Sequence, residues 1–355
     1  MGGWLYRPLF YKDEFGTQER LNMANVQVSP FRRAANGIYQ RRYKLFLLIL
    51  VIGFGCFLAT LISSVLNALY TGAAWTQIDI DFDLSNLTAI PIILIAFIVE
   101  QHLVGWDRSS IKKVLECGTN TSRQDIFFTV LFLTNLLTLF GHIASLGMGY
   151  MLHAYIQEQF SASLFGDMGI LGGVIFMWFV GPLLFYFFHL LQHTRFFWEF
   201  HKVHHAAKEM ELINNFRDHP VVMSFRAALD YLPFIIFGVD PIAIFIYRGT
   251  SGVITLWQHS NYYEPFPWVK KYLFIGARGH SMHHSTNEKH YMTNMGFVVF
   301  WDWLFGTLNK NYDKEITIGL SEEPNFNTST PAKEIFTTYF LGLKSFSREV
   351  VATFR

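Results

Sequence analysis

Nine histidines are spaced in a way that suits metal chemistry. His189 and His193 stand four apart in "HLLQH". His201, His204 and His205 in "HKVHH" and His280, His283 and His284 in "HSMHH" repeat one triplet, and His259 stands alone in "QHSN". Residues three and four apart share a face of an α-helix, so each triplet can aim its rings at one point. Neutral imidazole ligates iron, zinc, copper or nickel. Two ions with about four to six ligands each would take about eight to twelve side chains. Gathering so many rings without a cation would leave desolvated nitrogens unpaired, at about 1–3 kcal/mol each.

The remaining histidines read differently. His102, His142, His153 and His290 lack a spaced partner, and we expect structural roles for them. His219 in "FRDHP" is close to the cluster in sequence, where a ligand, a donor that orients a ligand, or a helix-end residue would each fit. Carboxylates are scarce nearby. Glu199 precedes His201 by two positions, which puts it on the wrong helix face. Neither the Glu-x-x-His pairs of soluble di-iron bundles nor the H-E-x-x-H signature of zinc proteases is present. A histidine-held metal pair beside lipid suits oxidation of unactivated C–H bonds with dioxygen, for which two irons can share the electrons.

The elements that must position these rings are apolar. Of 355 residues, 51% are hydrophobic and only 15% charged, with a mean hydropathy of +0.25. A soluble domain carries about 25% charge. The net charge of +1 leaves no basic excess for phosphates, so no nucleic-acid partner is expected. Cys56 and Cys117 sit in an apolar run and a charged loop, and no disulfide is expected between them. The N-terminus is too polar for a signal peptide, which predicts that the spans are retained. Residues 45–70, 87–106, 126–152 and 168–191 are each long and apolar enough to predict a membrane span.

Basic residues set the orientation. Arg32, Arg33, Arg41, Arg42 and Lys44 precede the first candidate span, and Arg108, Lys112, Lys113 and Arg123 fall between the second and third. The other two loops carry Asp79, Asp81, Asp83, Glu158 and Asp167 instead. This alternation places the N-terminus and the histidines on the cytoplasmic side. Residues 221–259 are apolar but interrupted by Arg226, Asp230, Pro233, Asp240 and Pro241, which predicts a helical hairpin that dips into the membrane and returns. The expected fold is all-α: a multi-pass membrane helical bundle of about four spans plus a re-entrant hairpin, under a cytoplasmic histidine-rich cap. Residues 335–354 read as an interfacial amphipathic helix.

Over residues 180–310 the chain resembles the fatty acid hydroxylase and sterol desaturase superfamily of integral membrane proteins. The resemblance rests on "HLLQH", "HKVHH", "QHSN", "HSMHH" and "WDWLFGT" in that order. It implies a non-haem pair of metal ions, normally two irons, with zinc able to replace iron in purified protein. Dioxygen would be the co-substrate for hydroxylation or desaturation of a sterol, fatty acyl, sphingoid or ether lipid. Ligand roles then fall on His189, His193, His201, His204, His205, His259, His280, His283 and His284. Asn261 and Asp302 become candidates to orient rings through their other nitrogens.

The chain departs from the family in having "NMG" at 294–296, where Asn-Tyr-Gly is common. It has no recognisable fused haem domain, which implies a separate electron donor: a cytochrome, ferredoxin or flavin reductase. The expected organisation is a cytoplasmic segment over 1–43, four spans within 44–191, a catalytic region over 180–310 and a cytoplasmic or interfacial segment over 311–355. Phe185, Phe188, Trp198 and Trp257 could line a lipid channel. A zinc-dependent lipid hydrolase or isomerase and a metal transporter or sensor are the competing readings. Oxygen consumption separates the first from an oxygenase, and metal uptake into vesicles tests the second. Alanine at His204 or His283 is expected to abolish metal retention and activity together, as read by metal analysis and lipid turnover; full activity in either variant would refute the ligand assignment.

Overall fold

The computed structural model describes residues 89–147, 151, 168–195, 197–262, 268–311, 315–321, 326 and 330–354. The expected span at 45–70, the basic cluster from Arg32 to Lys44, and His153 lie outside these residues. The chain divides into two units, Phe82–Gly342 with Met1–Gly3, and Trp4–Asp81 with Leu343–Arg355. The described part of the first is helical, with two isolated β-bridges. The described part of the second is the end of a helix.

Helix α1 (Ala89–Val104) is apolar but for Glu100 and its last turn. It is followed by α2 (Ser110–Glu116), whose N-terminus is capped by Ser109 accepting from the Lys112 amide. Buried Glu100 accepts from the amide and hydroxyl of Ser110 at 2.7 and 2.8 Å, which turns α2 sharply against the end of α1. Thr119 caps α3 (Asn120–Leu133), and α4 (Leu136–Ala144) follows. The candidate span over 126–152 is not one straight helix: in its described part α3 and α4, apolar enough together to cross a membrane, meet at 85°. Asn135 adopts a left-handed conformation at the corner, and the Thr134 hydroxyl donates back to the Val130 carbonyl. Helix α3 also begins earlier than the apolar run. Its first turns bury Ser122, Gln124 and Asp125 against protein partners, so it is anchored by polar contacts.

Among the described residues, one helix is long and apolar enough to cross a membrane: α5 (Gly169–Gln192). Leu171, Ile175, Phe179 and Phe187 on it are exposed, while Met177, Tyr186 and His189 are buried. Of the other candidates within the described residues, α1 is a 16-residue apolar helix and α3–α4 is bent. After α6 (Trp198–His205) and a 3-10 turn (Leu212–Phe216) come α7 (Pro220–Phe237) and α8 (Pro241–Gln258). Pro241 at the first position of α8 and the Asp240 side chain accepting from the Ile242 amide start the second arm cleanly. These two arms match the bounds expected for the hairpin. Helix α7 packs on α4 and α5, and α8 on α5 and α1.

Short helices α9 (Ala277–His283) and α10 (Val299–Phe305) complete the cap. Helix α11 (Pro331–Phe354) begins on the body of the protein. Glu334 and Thr338 are buried, and the Tyr339 hydroxyl donates to the Ala144 carbonyl at 3.0 Å. Phe336 and Phe340 are exposed, so its first half is amphipathic with one face held by protein.

The crossing of α5 and α8 depends on Gly181, where an added Cβ would lie 2.3 Å from the Tyr247 ring. Gly181→Leu should therefore lower the thermal midpoint of the detergent-solubilised protein, with a stability loss of about 1–3 kcal/mol or more from overpacking.

Candidate metal centre

Four segments deliver the histidines. The last turn of α5 presents His189 and His193, α6 presents His201, His204 and His205, and α9 presents His280, His283 and, at its end, His284. His259 follows α8 directly. All nine are brought together and all are buried. They form two groups, each with its ligand atoms within 4.8 Å of one another: His189, His193, His201, His205 and His283 in one, His204, His259, His280 and His284 in the other. The triplets are shared between groups, because i and i+4 rings of α6 join one centre while the i+3 ring turns to the other. The groups touch through His205 and His284, whose rings stack at 4.2 Å and 17°.

Backbone carbonyls determine which nitrogen faces inward. A carbonyl can only accept, so a ring nitrogen bonded to it carries the proton. His189 Nδ1 donates to Met295 and His283 Nδ1 to Thr293 in the first group; His204 Nδ1 donates to Arg217 and His259 Nδ1 to Thr255 in the second. In their neutral rings Nε2 is then a bare acceptor. Yet His189 Nε2 and His283 Nε2 lie 3.2 Å apart, and His204 Nε2 and His259 Nε2 lie 3.4 Å apart. Neither pair has a proton to share. Two nitrogens each about 2.1 Å from one cation are about 3.0 Å apart at a right angle and about 3.4 Å at a tetrahedral angle. The inward Nε2 contacts, 3.1 Å for His189–His201, His259–His280 and His280–His284 and 3.2 Å for His193–His283 and His201–His205, fall in that range. The donor set fits metal ions.

Protonation is tuned to the same end. Burial first, and neighbouring imidazoles second, hold His193, His201, His204, His205, His280, His283 and His284 well below the ordinary imidazole value. Burial lowers His259 to about 4 against the opposing pull of the Thr255 carbonyl. Neutral rings are what ligation requires.

Two supports hold the carbonyls. The first is the loop carrying Thr293 and Met295. Asp302 on α10 accepts from the amides of Met295 and Gly296 at 2.7 and 2.8 Å and from the Thr307 hydroxyl at 2.7 Å. A Cβ on Gly296 would sit 2.8 Å from the same carboxylate, so the "NMG" loop needs its glycine. Burial pushes Asp302 up to about 6, with those three donors opposing. Asp302 thus acts on His189 and His283 through the backbone and touches neither ring. The second support is Arg217, buried with Asp125 at 3.2 Å and bonded to Gln124, which also donates to Glu334 at 3.0 Å. Losing one partner of such a buried pair costs about 3–5 kcal/mol.

The remaining residues named from the sequence lie outside the two groups, and of the roles open to His219 the structure gives it the one at a helix end. Asn261 bonds no ring; it donates to Met210 and Ser110, and its amide donates to Glu100 at 2.7 Å, tying the chain just beyond His259 to α1. His219 is no ligand: its Nε2 donates to the Ile335 carbonyl and its Nδ1 accepts from the Val221 amide. It therefore pins α11 to the start of α7. His290 pairs with Ser285 at 2.7 Å and His142 with Ser224 at 3.3 Å, both outside the two groups. Glu199 faces away and pairs with Lys202 at 2.7 Å. Of the aromatics, Phe185 lies 5.6 Å from His189, and Trp198 lies 5.4 Å from His193 and 5.3 Å from His205. Trp257 instead covers Gly276 and donates to the Tyr262 carbonyl. Sequence reasoning missed Arg217, Asp125, Gln124 and Glu100. The one signal was a carboxylate, Glu100, inside an apolar run.

Residues 174–307 match the fatty acid hydroxylase family, which bears out the resemblance over the region that carries the histidines. The chain is also 32% identical over 127 residues to the ornithine lipid hydroxylase OlsE of Rhizobium tropici. That alignment covers 35% of this chain and 38% of the relative. No solved structure is significantly similar.

Removing the Asp302 carboxylate leaves two amides and a hydroxyl without their buried acceptor, at about 1–3 kcal/mol each. Asp302→Ala should therefore loosen His189 and His283 and lower the metal content of the purified protein toward half, measured by elemental analysis; a full metal complement would show that the loop holds without it.

Proposed function

We propose, for a chain whose histidine-bearing region matches the fatty acid hydroxylases, that it is a membrane-bound lipid hydroxylase that uses two iron ions and dioxygen. The supporting observation is the pair of facing, acceptor-only nitrogens in each histidine group, which only a cation reconciles. The nine histidines named above would hold the ions, five at one and four at the other, within a catalytic region over 180–310. Bound iron would supply activation of dioxygen, so that a lipid C–H becomes C–OH while a separate donor provides two electrons and the second oxygen leaves as water.

The chain's own residues do the rest. Burial of every ring keeps bulk water away from the reacting atoms. Phe185 and Trp198 offer apolar walls on which an acyl chain can lie beside His189 and His193. The carbonyls of Met295, Thr293, Arg217 and Thr255 keep the rings in the tautomer that faces the centre. Helix α5 carries apolar surface along its length and ends in two of the histidines, which supports a centre at one boundary of the bilayer. The expected side is the cytoplasm, where the donor would be a cytochrome, ferredoxin or flavin reductase. The relative's substrate, an ornithine lipid, supports a polar membrane lipid as the class.

The test is oxygen consumption by the iron-loaded protein with a reductase system and membrane lipids, followed by mass spectrometry. Lipids gaining one oxygen are expected. Metal retention with no oxygen uptake in any lipid would overturn the proposal.

A further inference from the structure

The hairpin carries charges that the metal centre does not use. Arg226 and Asp230 lie one turn apart on α7, about 6 Å along the axis, in a helix that is otherwise mostly apolar. Arg226 reaches Asp218, just before α7, at 3.7 Å, and Arg248 on α8 reaches Asp230 at 3.6 Å. These ion pairs exceed hydrogen-bonding distance, and among the described residues no hydrogen bond to either guanidinium is found. Both arginine side chains are reachable, at 38% and 51% exposure. Charges on helices that face lipid are costly and mark functional positions.

The position is specific. Asp218 follows Arg217, whose carbonyl holds His204, so one end of the stripe is fixed to the metal centre. The second pair sits one turn farther along the hairpin and bridges its two arms. Two cations and two anions balance. A net anionic ligand would gain from the arginines and lose to the aspartates. A ligand with both charges can take a guanidinium with its anion and a carboxylate with its cation, replacing two loose pairs by charge-assisted hydrogen bonds.

We propose that Arg226, Arg248 and Asp230, with buried Asp218 behind Arg226, form a headgroup subsite that selects lipids carrying both an oxyanion and an ammonium. This rests on the lipid-hydroxylase reading for the role of the bound lipid, but the binding itself is separable from turnover. The oxyanion could be the phosphate of an aminophospholipid or the carboxylate of an aminoacyl lipid, and both use the same forked guanidinium contacts.

The experiment is native mass spectrometry of the full-length protein released from detergent micelles holding phosphatidylethanolamine, an ornithine lipid, phosphatidylglycerol and diacylglycerol in equal amounts. The wild type should retain one or both zwitterionic lipids over the other two, and the preferred one identifies the oxyanion. Arg226→Gln and Arg248→Gln should each lower that retention about tenfold, the effect of losing one charge-assisted contact. Asp230→Asn should shift retention toward phosphatidylglycerol. Equal retention of all four lipids by the wild type overturns the subsite, whatever the variants do. So does unchanged retention in both arginine variants with unaltered metal content and melting temperature. Selective binding without oxygen uptake would sink the hydroxylase reading alone, and oxygen uptake without selectivity would sink the subsite alone.

Discussion

The structure turns on a conflict between lone pairs. In each histidine group two imidazoles have committed their only proton to a backbone carbonyl, and their remaining nitrogens face each other across little more than 3 Å. Buried, with water excluded, those nitrogens repel unless a positive charge stands between them. The fold spends helix ends, a glycine loop and a buried ion pair on maintaining this arrangement. Such effort is intelligible only as preparation for cations.

The supports differ for the two groups. The first depends on a short loop whose amides are held by one carboxylate, Asp302, which lies on α10 against α5. The second depends on Arg217, set by Asp125 and Gln124 from α3 and indirectly by Glu334 from α11. Segments far apart in the chain thus determine ring orientation through main-chain atoms. Helix α3 packs against the 3-10 turn before Arg217 and brings Gln124 and Asp125 from its first turns to that arginine.

Much of the centre was legible because metal ligation demands a residue type and a spacing. The i, i+3, i+4 triplets and the i, i+4 pair identified eight rings, and His259 needed only its place at the end of the hairpin. What stayed hidden acts through carbonyls, which any residue supplies: nothing in the letters Met295 or Thr293 says that their oxygens orient histidines. Asn261 was misjudged because an amide near a ligand can serve either the ring or the backbone, and here Glu100 claims the backbone amide. The bend within the third candidate span was not legible because hydropathy over 126–152 does not register the left-handed corner at Asn135. The hairpin arms were recoverable, since prolines and charges punctuate them.

The stacked rings of His205 and His284 belong one to each group, with their faces 4.2 Å apart. They act as a party wall. Each ring lines its own group and backs the other's, so a substitution at either position alters the lining of both.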